Sequence, residues 1–146
     1  TGYAIMSLLE NNNFVIEASG TISAINYSTI NEYWNEHKLL IDSFLKKFKG
    51  HIVIEDYRLY ANKAHSQINS QFETSQLIGV LKQYCFDLNI TCTMQLASLV
   101  KSRWSDEILI HKKVIKATEC KKISKHTKDA IRHAVHYLLF KYKEVK

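Results

Sequence analysis

A carboxylate at the end of an apolar strand is a place where a hard cation can be held. The stretch HIVIEDYRLY, residues 51–60, carries a β-branched run into Glu55 and Asp56 and then sets Arg58 between Tyr57 and Tyr60. Charges that have merely reached water would explain it. So would an acid that ligates a divalent ion through oxygen, followed by a basic aromatic loop suited to a polyanion. Strand alternation puts Glu55 on the Val53 face and Asp56 on the Ile52 and Ile54 face, so at most one of the two serves a single site. Periodicity leaves open which.

A second set of groups lies in KHTKDAIRHAVHYLLF, residues 125–140. On a helix, Ala130, Ile131, Ala134, Val135, Leu138 and Leu139 make a core face. His126, Asp129, His133 and His136, spaced three, four and three apart, make a separate narrow stripe. Such a stripe is ordinarily a solvated edge. One Asp among three His at the start of a helix, where backbone N–H groups and the dipole favour anions, suits a cation and phosphate site better. A metal draws donors from several segments, so Glu55 and the helix near His126 are expected to converge.

The elements that must bring them together follow from patterning. Residues 1–9 and 13–25 read as two strands joined by a turn at ENNN, where Asn tolerates left-handed backbone. Residues 28–48 carry apolar residues at helical spacing behind a Ser28 cap, with Gly50 as the stop. HIVIE is a short buried strand. SQFE, residues 70–73, has capping-box spacing and opens a helix to about Leu88. NITCTMQ reads as a strand, WSDEILIHKKVIK as a short helix, and a basic tract leads into the last helix. The order predicts an α/β fold, a mixed central sheet flanked by helices.

Length and composition bound the rest. The chain has 146 residues, 46% hydrophobic and 23% charged, with no Pro and 4 Gly. That predicts a single domain over residues 1–146. The formal net charge of +6 favours an acidic partner, nucleic acid before membrane surface. No apolar run approaches the ~20 residues of a membrane span. Cys85, Cys92 and Cys120 lack paired metal spacing and read as reduced core thiols of a cytoplasmic protein.

Four stretches in this order resemble the RuvC-type Holliday-junction resolvases of the RNase H-like superfamily, bacteriophage branch. TGYA (residues 1–4) resembles the end of the family pattern D-x-G-x-x-x-T-G-Y-A, and VIEDYRLYANKAHS (53–66) the strand-end glutamate and its loop. TSQLIGVLKQYC (74–85) resembles the helix after that loop, and KHTKDAIRHAVHYLLF the C-terminal metal-binding helix. The resemblance implies an RNase H-like sheet and a Mg²⁺- or Mn²⁺-dependent endonuclease cutting branched DNA by a two-metal mechanism. It makes Glu55 and Asp129 metal ligands and His126, in H-x-x-D, a ligand or water-positioning group. It also implies a first acid upstream of Thr1, a homodimer through the helix around residues 72–86, and a place in the host bacterial cytoplasm. Phosphate contacts are expected from Arg58, Lys63, His65, Lys121, Lys122 and Lys125, and base stacking from Tyr57 or Tyr60. The rivals are a nuclease for flaps or RNA–DNA hybrids and a junction-binding protein that does not cut.

Overall fold

The computed structural model describes residues 1–47, 50–56 and 73–140. Its elements run β1 (Gly2–Leu8), β2 (Phe14–Thr21), a 3-10 turn (Ala24–Asn26), α1 (Ile30–Leu45), β3 (Ile52–Asp56), α2 (Glu73–Asp87), β4 (Cys92–Leu96), α3 (Ala97–Arg103), α4 (Asp106–His111), α5 (Ala117–Cys120) and α6 (Lys125–Phe140). The fold is mixed α/β. Among the described residues the strands form two separate pairs rather than one sheet: β1 with β2, antiparallel, and β3 with β4, parallel.

The expected hairpin is present, with Asn12 at φ 60 in the turn and a bulge after Ile5. The cap of α1 is Thr29 and not Ser28: its side chain accepts from the Glu32 N–H while the Glu32 carboxylate accepts from the Thr29 N–H, a full capping box. Ser70 lies outside the described residues. Two helices, α3 and α5, add to the expected order. Both are short, and α3 keeps only Val100 buried, too little apolar periodicity to stand out against its polar neighbours.

Helix α6 organises the molecule. Its Ile131 and Val135 are fully buried in a cluster with Val100, Trp104, Leu109 and Ile115, against which Ala4 and Met6 of β1 pack. A second cluster, Ile22, Tyr33 and Leu77, joins α1 and α2 to the other face of the hairpin. The start of α6 is pinned to the hairpin by hydroxyls: Ser124 Oγ accepts from the Thr127 N–H at 3.1 Å, and Thr127 Oγ1 donates to the Gly20 carbonyl at 2.8 Å. At Gly2 the approach is closer than any side chain allows, since a Cβ there would lie 2.0 Å from the His126 carbonyl oxygen. Backbone sits on backbone at that point.

All three cysteines are free thiols, as expected. Burial and the neighbouring Cys92 push the Cys85 thiol up to about 11. Among the described residues no helix is long and apolar enough to cross a membrane.

The glycines give a paired prediction of opposite sign. Gly2→Ala should destabilise by about 1–3 kcal/mol or more, because the Cβ must push β1 off α6. Gly79→Ala, in exposed mid-helix with nothing within 4 Å, should stabilise by about 0.5–1 kcal/mol. Urea unfolding midpoints of the two variants measure both.

Candidate functional site

Side-chain contacts at the strand end tell the two acids apart. Ile54 is the buried residue of β3, and the opposite face carries Glu55 toward α3 and α6. There a single ammonium joins two acids: Lys101 Nζ stands 3.1 Å from Asp129 Oδ2 and 3.5 Å from Glu55 Oε1. Glu55 and Asp129, expected to converge, are therefore neighbours about one cation. Asp56 lies on the other face of the strand.

The two acids differ in exposure. Asp129 is buried, its side chain 9% exposed, and also accepts from Arg132 NH1 at 2.5 Å. Glu55 is 42% exposed. Arg132 continues the chain of charge: Nε donates to the Trp104 carbonyl at 2.7 Å, and NH2 donates to Asp106, whose other oxygen accepts from Lys128 at 2.6 Å. Ser105 caps α4 and so fixes Asp106 in its first turn. The result is an alternating relay, Glu55, Lys101, Asp129, Arg132, Asp106, Lys128.

The stripe on α6 divides. Asp129, His133 and His136 are all buried, so a solvated edge is excluded for these three. His136 turns away, accepting from Trp104 Nε1 at 3.4 Å with Phe140 against its ring. His133 turns to the acids, with Nε2 3.6 Å from Glu55 Oε2 and Nδ1 2.9 Å from the Gln95 side-chain oxygen. At 3.6 Å the Glu55 contact is an ion-pair distance and not a hydrogen bond. His126 is exposed and borders the same cavity of about 700 Å³ as Glu55, Asp129 and His133. It touches neither acid. His133, in the third turn of α6, and not His126, in its first, is the histidine that stands beside Glu55.

Those charges act on each other. His133, first, and Lys101 hold the Glu55 carboxyl below its ordinary value against burial. Burial works against the Lys101 charge, but Asp129 and Glu55 outweigh it and raise its pKa. Lys128 holds Asp106 down, with Cys120 and Arg132 adding to it against burial.

As a donor set, two carboxylates sharing a cation suit a Mg²⁺-type ion, which takes one or two protein carboxylates and fills its remaining positions with water or phosphate oxygen. Among the described residues no group of three or more His, Cys, Asp and Glu side chains is arranged to hold a metal. Arg58, Tyr60, Lys63 and His65, with Tyr57, lie outside the described residues. Lys121, Lys122 and Lys125 are exposed at the junction of α5 and α6, in a tract with exposed Lys112, Lys113 and Lys116. The face of α2 expected to dimerise is largely used within the chain: Leu77 is buried, Leu81 packs on α1's cluster, and Tyr84 donates to Asp42 at 2.6 Å. Phe86, 80% exposed, is left on the surface.

Sequence reasoning missed Lys101, Arg132, Gln95 and Asp106. Arg132 was findable, three residues after Asp129 on one helix face. Gln95 needed the register that sets it opposite Glu55. No family model matches the chain, and no curated protein matches it.

The acids fix a pH dependence. Glu55 and Asp106 are held below ordinary values of 4.5 and 3.8, so their contribution is complete above those values and is lost as pH falls beneath them. Asp106→Asn should lower stability at neutral pH by about 1–3 kcal/mol by leaving Arg132 and Lys128 short of a partner. It and Glu55→Gln should each flatten the fall of the urea midpoint between about pH 5 and pH 3.

Proposed function

We propose that this chain is an RNase H-like, RuvC-type nuclease domain that hydrolyses phosphodiester bonds in branched DNA with Mg²⁺ or Mn²⁺. The carrying observation is the convergence of Glu55 from β3 and Asp129 from α6 on one cationic position. It is supported by the exposed lysine tract beside the start of α6 and by the net charge of +6. Four-way junctions are the preferred substrate, with flaps and RNA–DNA hybrids as lesser ones. A homodimer fits paired nicks on a nearly two-fold junction.

Glu55 and Asp129 would hold the metal, which supplies water activation and charge stabilisation on the leaving oxygen. Asp129 is oriented for this by Arg132, which is itself tied to the Trp104 carbonyl and Asp106. Lys101 bridges both acids, and with a metal held between them its ammonium would turn to a phosphate oxygen. His133 Nε2 faces Glu55 and makes no hydrogen bond among the described residues, which leaves it open to a water or a phosphate oxygen. His126, exposed at the rim, is placed to position water or a phosphate.

One observation favours a second reading. Lys101 bridging both carboxylates, with Arg132 on Asp129, would let the site persist in a junction-binding protein that does not cut. Nicking assays on synthetic four-way, flap and hybrid substrates separate the two.

Glu55→Gln and Asp129→Asn should each reduce cutting by about 10²-fold or more, and EDTA should abolish it. Junction binding should remain. Normal cutting by both variants would overturn the assignment, and binding without cutting by the unaltered chain would favour the second reading.

The lysine tract carries a separate expectation. Lys121→Ala, Lys122→Ala and Lys125→Ala together should reduce the slope of log K against log[salt] by about 2–3, near 0.9 for each phosphate that is no longer neutralised. Fluorescence anisotropy with a labelled junction measures it.

A further inference from the structure

The oxygens and ring nitrogens of Glu55, Asp129 and His133 have partners in all but two cases. Asp129 Oδ1 meets Arg132, and its Oδ2 meets Lys101. Glu55 Oε1 meets the same lysine, and His133 Nδ1 stands 2.9 Å from the Gln95 side-chain oxygen. Glu55 Oε2 and His133 Nε2 are left over, facing each other at 3.6 Å. His133 is only 4% exposed and borders the cavity, and its Nε2 has no hydrogen-bond partner among the described residues.

Gln95 decides what that nitrogen is. An amide oxygen only accepts, so Nδ1 carries the ring proton and Nε2 is a bare lone pair. Gln95 lies opposite Glu55 in the parallel ladder and is itself buried, which holds its oxygen in place. A lone pair facing a carboxylate oxygen is repelled unless something positive stands between them. Lys101 does not stand there, since it meets Oε1.

The separation indicates what would. A direct hydrogen bond would bring the two atoms to about 2.7–3.2 Å. One water donating to both, at about 2.8 Å from each, would hold them roughly 4.4 Å apart. A metal ion about 2.1 Å from each spans about 3.4 Å at a tetrahedral angle and about 3.0 Å at an octahedral one. The observed 3.6 Å is nearest the tetrahedral span.

We infer that Glu55 Oε2 and His133 Nε2 form a metal position of their own, oriented by Gln95. It takes a first-row divalent ion that binds imidazole, in preference to Mg²⁺. Mg²⁺ demands near-octahedral oxygen and dehydrates reluctantly, whereas imidazole suits the later first-row ions. Gln95 is a positioning residue: it fixes the ring tautomer as acceptors behind metal-bound histidines do. The other coordination positions open to the cavity, for water or an oxyanion. Lys101 keeps its contact with Oε1 throughout. The site rests on these donors and its test uses no DNA, so failure of the nuclease reading leaves it untouched.

Co²⁺ is the probe, because its visible absorption separates tetrahedral from octahedral coordination and a thiolate ligand adds a near-ultraviolet band. The unaltered chain should bind Co²⁺ at least about 10-fold more tightly than Mg²⁺, with a tetrahedral spectrum and no thiolate band. His133→Gln and Gln95→Leu should each weaken Co²⁺ binding by about 10-fold or more and Mg²⁺ binding by less than about 2-fold. Gln95→Glu, which keeps an acceptor on Nδ1, should retain Co²⁺ binding. Urea midpoints show whether the variants fold. If they do not, imidazole ¹⁵N NMR of the unaltered, metal-free chain decides, and should show the His133 proton on Nδ1 and none on Nε2 at neutral pH. A proton on Nε2, which would suit a phosphate oxygen instead, would overturn the inference. So would unchanged Co²⁺ affinity in His133→Gln, equal losses for Co²⁺ and Mg²⁺, or a thiolate band, which would put the ion on a cysteine.

Discussion

Two carboxylates cannot share a half-buried pocket unless something positive stands between them. Like charges about 5 Å apart at an effective dielectric near 20 repel by roughly 3 kcal/mol, a sizeable part of a small domain's stability. In this chain the Lys101 ammonium meets both Glu55 and Asp129, and its 41% exposed side chain keeps contact with water. The exposed side of the pair is screened and weakly held. The buried side is not: Asp129 is fixed by Arg132, and Arg132 by a backbone carbonyl and a second acid. The arrangement therefore has a rigid half and a yielding half.

That division depends on where α6 lies. Its first turn is locked to the hairpin by the Gly2 approach and the hydroxyls of Ser124 and Thr127, while its third turn meets β3 through His133. Helix α6 packs along β1, whose Ala4 and Met6 meet its buried face, and reaches β3 more narrowly through His133, so one helix spans both strand pairs. The apolar side of α6, through Ile131 and Val135, holds it down. Its polar side, through Asp129 and His133, is buried only because each group has a partner.

Much of this was legible in the residues. The hairpin, the strand carrying Glu55, and the last helix follow from alternation, turn chemistry and helical spacing; the convergence of that strand end with the last helix follows from asking which segments could supply one cation, and the family resemblance is what singles out Asp129. What was not legible has a common cause. Lys101 sits on α3, a seven-residue helix too short to show a period, so its ammonium could not be assigned a direction. The choice of His133 over His126 depends on how far α6 is advanced along β3. That offset is set by a glycine contact between distant segments and not by any spacing within the helix. Nor does alternation say how many strands a sheet contains, and β1 and β3 read as members of one sheet although they do not touch as a ladder.

The paired acids are balanced as a chain and not one by one. Glu55, Asp129 and Asp106 alternate with Lys101, Arg132 and Lys128, so three acids face three bases. At the outer end water reaches Glu55, whose carboxylate is 42% exposed, and takes up part of the work of its lysine. At the inner end Asp129 has little water, so its charge depends on direct contact with Lys101 and Arg132. The balance therefore tolerates change at Glu55 far better than at Asp129.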